Sequence, residues 1–125
     1  GFADAKFIEG AGEKNASNVY YVSGYSTKVA LSEKATAFVA AYKEKYGEEP
    51  NMFAALAYDA VYMAAEAAKD AKTSKDIARN LADLEDFEGV TGPISIDKNH
   101  NPVKSAIMVK LDNGQEASAE AVTAE

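Results

Sequence analysis

Phe87–Val103 reads F-E-G-V-T-G-P-I-S-I-D-K-N-H-N-P-V and joins glycines and prolines to a short alternating segment and a polar turn. Ile94 and Ile96 alternate with polar residues, which is the period of a half-buried strand. Residues 97–102 are rich in Asp and Asn, which favour turns because their side chains hydrogen-bond the nearby backbone. Strand-like sequence then returns at Val103–Leu111. We therefore predict a β-hairpin with Val103–Leu111 as its second strand.

The composition excludes several classes of protein. The chain has 125 residues, a formal net charge of -7, 47% hydrophobic residues and no cysteine. This length suits one small domain or a part of a larger one. The negative charge argues against nucleic acid and anionic membrane surfaces as partners, because both would repel the chain. Disulfides, thiolate nucleophiles and cysteine-bound metals are excluded.

The ends of the chain and its apolar runs add two expectations. No apolar run reaches membrane-spanning length, and no signal-peptide pattern is present. Gly1 and Phe2 open helix-like sequence without an initiator Met, so we expect a processed or excised chain.

Helical periodicity covers much of the chain, and capping residues mark its helix ends. Ser32 and Asn51 are candidate N-caps, Gly47 is a stop, and Thr73 with Asp76 forms a variant capping box. The predicted helices are Phe2–Ala11 (closed by Gly10 or Gly12), Ser32–Tyr46, Met52–Ala71 and a segment that starts at Thr73 and carries Ile77, Leu81 and Leu84 on its inner face.

The remaining strand signals are few. We predict a buried strand at Val19–Val22, a tight turn at Asn113-Gly114 and a loosely held tail at Ala117–Glu125. About three strands would then serve several apolar helix faces, against ~5–6 in a typical sheet. Met52–Val61 is apolar on nearly every face and requires more than one neighbour. We therefore expect an α/β chain with an incomplete sheet that self-associates when isolated.

Motifs for catalysis or metal binding are weak. His100 is the single histidine and lies in a polar turn, where a solvated side chain is the simpler interpretation. Asp97-x-Asn99-x-Asn101 resembles the start of a calcium loop, but Pro102 replaces the required glycine. We predict no metal site, no cofactor and no catalytic residue, so an enzyme is disfavoured.

Two residues of the long helix are binding candidates. Asp59 is set among apolar residues, where a carboxylate either holds a ligand amine or forms structural hydrogen bonds; the structural role is the favoured one. On composition alone, Phe53 belongs to a core more often than to a pocket.

Five segments in a fixed order carry a resemblance to a known family. Together they closely resemble the C-terminal portion of the branched-chain amino-acid receptors of ABC importers, which are two-lobed periplasmic binding proteins of fold type I. The segments are Gly1–Ala3, Val19–Ser26 (V-Y-Y-V-S-G-Y-S), Thr36–Pro50 (T-A-F-V-A-A-Y-K-E-K-Y-G-E-E-P), Phe53–Val61 (F-A-A-L-A-Y-D-A-V) and Phe87–Val103.

The resemblance implies a domain organisation. Residues 1–23 would finish the second lobe, and residues 24–104 would form the C-terminal part of the first lobe. Residues 105–125 would cross back to the second lobe and form the tail, with the predicted hairpin near the hinge.

The resemblance also implies a site and partners. Phe53 matches a position that lines the side-chain pocket, and Tyr25 and Asp59 are near-hinge candidates. The family's residues for the ligand ammonium and carboxylate match positions before Gly1. The whole receptor would deliver a branched-chain amino acid to a membrane permease and lie outside the cytoplasm, in the periplasm or as a cell-surface lipoprotein. The alternatives are a receptor or a cytoplasmic sensor of the same fold for another small amide or acid.

Overall fold

The computed structural model describes residues 5–123, and the fold in this range is α/β, as predicted. Four helices and six strands form it, and the strands make two separate three-stranded sheets. The helices are α1 (Ala5–Ala11), α2 (Glu33–Tyr46), α3 (Met52–Ala68) and α4 (Ser74–Ala82). The strands are β1 (Val19–Ser23), β2 (Phe87–Gly89), β3 (Gly92–Ile96), β4 (Pro102–Val103), β5 (Ala106–Asp112) and β6 (Gln115–Val122).

The first sheet joins segments from opposite ends of the sequence. Its order is β1-β5-β6, and both pairings are antiparallel. Ile107, Val109 and Leu111 alternate along β5 and are fully buried, so one face of this sheet has its own apolar layer. Asn113 and Gly114 both have positive φ in the turn between β5 and β6, as the predicted Asn-Gly turn requires.

The second sheet is short, and the larger apolar cluster lies among the helices. The strand order of this second sheet is β2-β3-β4, with antiparallel pairings. The buried residues of this cluster come from the segment after β1, from α2, from α3 and from the β2–β3 turn. They are Tyr25, Ala35, Phe38, Ala55 and Val90.

The predicted helix caps are confirmed. The Ser32 side chain accepts a hydrogen bond from the backbone of Ala35, and the Asn51 side chain accepts one from Ala54. Gly47 ends α2 with a φ of 76°, a backbone conformation that favours glycine. The capping box of α4 has both of its reciprocal hydrogen bonds between Thr73 and Asp76.

The end of α1 follows the second of the two predicted stops. Gly12 has a φ of 80° and donates its N–H to the carbonyl of Ile8 at 2.9 Å. The part of the predicted helix before residue 5 lies outside the described residues.

The prediction for the second strand of the hairpin is wrong. After the polar turn, β3 finds only the two residues of β4 as a second partner beside β2, and the chain then leaves this sheet at Lys104 and Ser105. β5 starts at Ala106 and pairs with β1 and β6 instead. An alternating pattern indicates a strand but not its partner, and β1 and β6 offer β5 longer pairings than β3 does.

Other expectations need correction. The tail was expected to be loose, but β6 pairs with β5 along its length because backbone hydrogen bonds need no apolar side chains. β1 is half-exposed rather than buried, with Tyr20 and Val22 more than half exposed. The long helix ends at Ala68, before the predicted Ala71. Residues 5–123 contain six strands rather than about three, because short or polar strands such as β2, β4 and β6 lack a strong periodic signal.

The apolar first half of α3 lacks the cover that its sequence demands. Phe53 and Val61 are 63% and 66% exposed. Among residues 5–123, no helix is long and apolar enough to cross a membrane.

Candidate functional site

A cavity of about 520 Å³ opens where β1 ends and α3 begins. Its lining comes from the end of β1 and the segment after it, from the start of α3 and the loop before it, and from the start of β6. It therefore lies where the chain passes from one sheet to the helices. The lining residues are Tyr21, Val22, Ser23, Tyr25, Ser26, Thr27, Lys28, Glu49, Pro50, Asn51, Met52, Phe53, Gln115 and Glu116.

Tyr25 is a lining residue with an unused hydrogen-bonding group. The side chain is only 5% exposed, and its hydroxyl has no hydrogen-bond partner among the described residues. Burial raises the pKa of Tyr25 to about 12, and the carboxylates of Glu49, Asp59 and Glu116 add to the increase. The hydroxyl is therefore protonated at neutral pH and keeps a hydrogen-bond donor that no described residue uses.

Phe53 gives the cavity an apolar wall. It is the second residue of α3 and remains 63% exposed, so the core of the described chain does not account for it. The neighbouring Met52 is fixed through its sulfur, which accepts weak hydrogen bonds from the Ser23 hydroxyl and the Gly24 N–H. The start of α3 thus presents a positioned apolar surface beside Tyr25.

Glu116 is a lining residue that sequence reasoning missed. Its carboxylate accepts hydrogen bonds from the Tyr21 hydroxyl at 2.9 Å and from the Ser26 hydroxyl at 2.7 Å. Burial, with this hydrogen bond and the charge of Glu116, raises the pKa of Tyr21 well above its usual range. A glutamate just after an Asn-Gly turn looks like a solvated strand end, so no sequence signal identified it.

Asp59 does not line this cavity. Its buried carboxylate accepts hydrogen bonds from the N–H of Val90 at 2.7 Å, the N–H of Thr91 at 2.9 Å and the Thr91 hydroxyl at 2.7 Å. A Cβ atom on Gly89 would lie 2.6 Å from a carboxylate oxygen, so the residue before Val90 has room only for glycine. The arrangement matches the structural alternative considered for Asp59, while a role in ligand binding stays a prediction.

The polar turn at 97–102 uses its oxygen atoms on its own backbone. The Asp97 carboxylate accepts hydrogen bonds from the N–H groups of Asn99 and Asn101, each at 2.8 Å. These bonds lower the pKa of Asp97, with the bond from Asn101 as the largest cause. Within the described part of the chain, no group of three or more His, Cys, Asp and Glu side chains could hold a metal ion.

A family model described as "Periplasmic binding protein" matches residues 1–116. Comparison with curated proteins gives no match. Among solved structures, the chain is 52% identical to the branched-chain amino acid transporter substrate binding protein LivJ from Streptococcus pneumoniae in complex with isoleucine. The TM-score is 0.84, and the match covers 95% of this chain and 34% of that one.

Further solved structures extend the similarity. The leucine binding protein LivK from Thermotoga maritima is 31% identical, with a TM-score of 0.78 over 94% of this chain and 33% of that one. An ABC transporter solute binding protein from R. palustris in complex with benzoate is 25% identical, with a TM-score of 0.72 over 94% and 34%. The chain thus spans about a third of the length of these structures. The family model matches most of the sequence, so the chain belongs to the periplasmic binding protein family.

Proposed function

We propose that this chain is part of an extracytoplasmic receptor that captures a branched-chain amino acid for an ABC importer. The observation that carries this proposal is the 52% identity, over 95% of the chain, to a LivJ protein in complex with isoleucine. The membrane permease of the importer would be the partner of the whole receptor, and a lipoprotein anchor would hold it at the surface. The receptor would bind its solute without chemical conversion.

The cavity at the start of α3 supports a role for two residues in solute binding. Phe53 would contact the aliphatic side chain of the solute, since an exposed aromatic ring at the rim of a cavity gains from covering apolar surface. Tyr25 would donate its unused hydroxyl hydrogen to a polar end of the solute. Asp59 would contribute indirectly, by fixing the β2–β3 turn against α3.

The proposed domain organisation keeps the boundaries expected from the sequence. Residues 1–23 and 105–125 would belong to one lobe, and residues 24–104 to the other. In support, the first sheet combines β1 with β5 and β6, whereas α2, α3, α4 and the second sheet come from the segment between them. Closure of the lobes about the connecting segments would trap the solute.

The proposal is tested by calorimetric titration with isoleucine, leucine and valine. The 125-residue chain alone is expected to bind none of them tightly, because it spans about a third of the length of the related structures and would supply only part of a solute site. The full-length receptor is expected to bind at least one of them. Micromolar binding by the chain alone would contradict the first expectation. The absence of a binding signal from the full-length protein would contradict the proposal.

The role of Phe53 predicts a specific loss of affinity. Phe53→Ala in the full-length protein removes an apolar wall worth about 1.5–3 kcal/mol, so the Kd for the amino acid should rise on the order of ten- to a hundredfold. Tyr46→Ala is the matched control, because Tyr46 is an exposed aromatic residue that does not line the cavity. Equal affinities of the two variants would remove Phe53 from the site.

A receptor for a small aromatic acid is the second candidate. The R. palustris protein in complex with benzoate is 25% identical to this chain and has the same fold. Including benzoate and an aliphatic amide in the titration of the full-length protein separates the candidates. Preference for benzoate would favour this second function.

A further inference from the structure

Lys104 lies where the chain passes from the second sheet to the first. It directly follows β4, and only Ser105 separates it from β5. Its ammonium donates hydrogen bonds to the carbonyl oxygen of Gly24 at 3.1 Å and to the hydroxyl of Thr91 at 2.5 Å. Gly24 directly follows β1, where the chain passes in the opposite direction. One side chain therefore contacts both connecting segments.

The acceptor on Thr91 is itself held in place. Thr91 is fully buried, and both its hydroxyl and its N–H donate to the carboxylate of Asp59 on α3. The Thr91 hydroxyl thus accepts a hydrogen bond from Lys104 and donates one to Asp59. The resulting chain of contacts runs from Gly24 through Lys104 and Thr91 to α3.

The charges along this chain of contacts favour a cationic donor at position 104. Burial lowers the pKa of Lys104, and the charge of Asp59 opposes that change. A partly buried cation needs compensating acceptors, and the Gly24 carbonyl, the Thr91 hydroxyl and the nearby carboxylate provide them. An apolar side chain of similar length would leave the Gly24 carbonyl and the Thr91 hydroxyl without this donor.

We infer that Lys104 is a positioning residue that fixes the β1-β5-β6 sheet relative to α2, α3 and α4 by bonding both connecting segments to α3. If the chain has the proposed receptor function, this link sets the open geometry from which the lobes close on the solute. That second statement rests on the proposed function, whereas the link itself does not.

Residual dipolar couplings of the backbone N–H groups test the link in the 125-residue chain without any solute. In the wild type, the couplings of the first sheet and of α2–α4 should fit one common alignment tensor. In Lys104→Met, the couplings of the first sheet and those of α2–α4 should each still fit a tensor of their own. The two tensors should differ, and the degree of alignment of one of them should fall. A common tensor in Lys104→Met, equal to that of the wild type, would overturn the inference.

Three further variants separate positioning from a general loss of stability. Lys98→Met removes an exposed lysine of the polar turn and should retain one tensor. Lys104→Arg keeps a cationic donor and should restore the common tensor at least in part. Thr91→Val removes the acceptor at nearly constant volume and should reproduce Lys104→Met; it decides the matter if Lys104→Met does not fold. Retention of one tensor in a folded Thr91→Val would also overturn the inference.

The outcomes remain distinguishable from those of the solute titration. Two tensors in Lys104→Met, together with no amino-acid binding by the full-length protein, would retain the link and reject the proposed function. One tensor together with tight amino-acid binding would do the reverse.

Discussion

The carboxylate of Asp59 shows how one residue can fix a turn. It accepts three hydrogen bonds from Val90 and Thr91, and the absence of a side chain on Gly89 makes the approach feasible. Bonds to a charged acceptor are stronger than bonds between neutral groups, and each is worth more where water is excluded. Asp59 therefore secures the second sheet against α3.

Asp59→Asn should destabilise the chain by about 2–4 kcal/mol, because the amide NH₂ cannot accept the hydrogen bonds that one carboxylate oxygen now receives. Urea unfolding measures the loss. Asp70→Asn, which alters an exposed aspartate just beyond α3, is the control and should change stability little. Similar effects of the two substitutions would show that the buried hydrogen bonds of Asp59 contribute little.

The raised pKa of Tyr25 predicts that the free energy of unfolding depends on pH in the alkaline range. Its pKa is about 12 in the folded chain and 10.0 in its ordinary state, so above pH 10 the unfolded state loses a proton that the folded state keeps. The free energy of unfolding therefore falls as the pH rises from about 10 to 12, and the contribution is fully present below that window. Urea unfolding at several pH values, with tyrosinate absorbance as a second signal, should show a smaller fall in Tyr25→Phe. An unchanged slope in Tyr25→Phe, or the same reduction in the exposed control Tyr46→Phe, would contradict this assignment.

Individual residues were predictable where their role is local. Ser32, Asn51 and the pair Thr73 and Asp76 cap helices as their sequence positions indicate. Glu116 and Lys104 could not be found in this way, because their partners are far away along the chain. Glu116 bonds Tyr21 and Ser26, and Lys104 bonds Gly24, so only the folded chain brings these groups together.

At the scale of elements, the helices were more predictable than the strand pairing. A helix satisfies its hydrogen bonds within one segment, so its sequence contains its period and its caps. A strand depends on a partner that its own sequence does not name, which is why β5 was assigned to β3 and β6 was missed altogether. The sequence therefore does not predict the cavity either, because the start of β6 forms part of its wall.

The capping box of α4 gives a prediction at this scale. Thr73→Ala removes the hydroxyl that accepts the Asp76 N–H and also donates to its carboxylate, so we expect a loss of about 1 kcal/mol. The neighbouring Ser74→Ala is the matched control, since it deletes an exposed hydroxyl from the first helical residue. Thermal unfolding of both variants measures the difference, and equal midpoints would show that the box does not stabilise α4.

At the scale of the whole molecule, the faces of α2 and α3 form an open apolar groove of about 1170 Å³. Neighbouring aromatic rings line it. The ring centroids of Phe38 and Tyr58 are 4.7 Å apart, and those of Tyr58 and Tyr62 are 4.6 Å apart. Contiguous exposed apolar surface favours association. We therefore expect the predicted self-association to use this groove.

Val61→Glu should reduce this self-association, because it places a charge in the groove on a residue that is 66% exposed. Light scattering over a range of protein concentrations measures the change in mass. Val103→Glu adds the same charge at an exposed valine outside the groove and should leave the association intact. A monomeric wild type would refute the prediction, and equal effects of the two variants would place the contact elsewhere.

The pairing of β1 with β5 also affects how the chain acquires its structure. Val19 lies opposite Leu111, so the first sheet depends on contacts between residues that are far apart in the sequence. Contacts of such high sequence separation form late, because closing the loop costs entropy before any bond repays it. Within this segment, β1 is made before β5 and has no partner until β5 is complete, whereas α2, α3 and α4 can begin to form from local contacts. We therefore expect the first sheet to form after α2, α3 and α4.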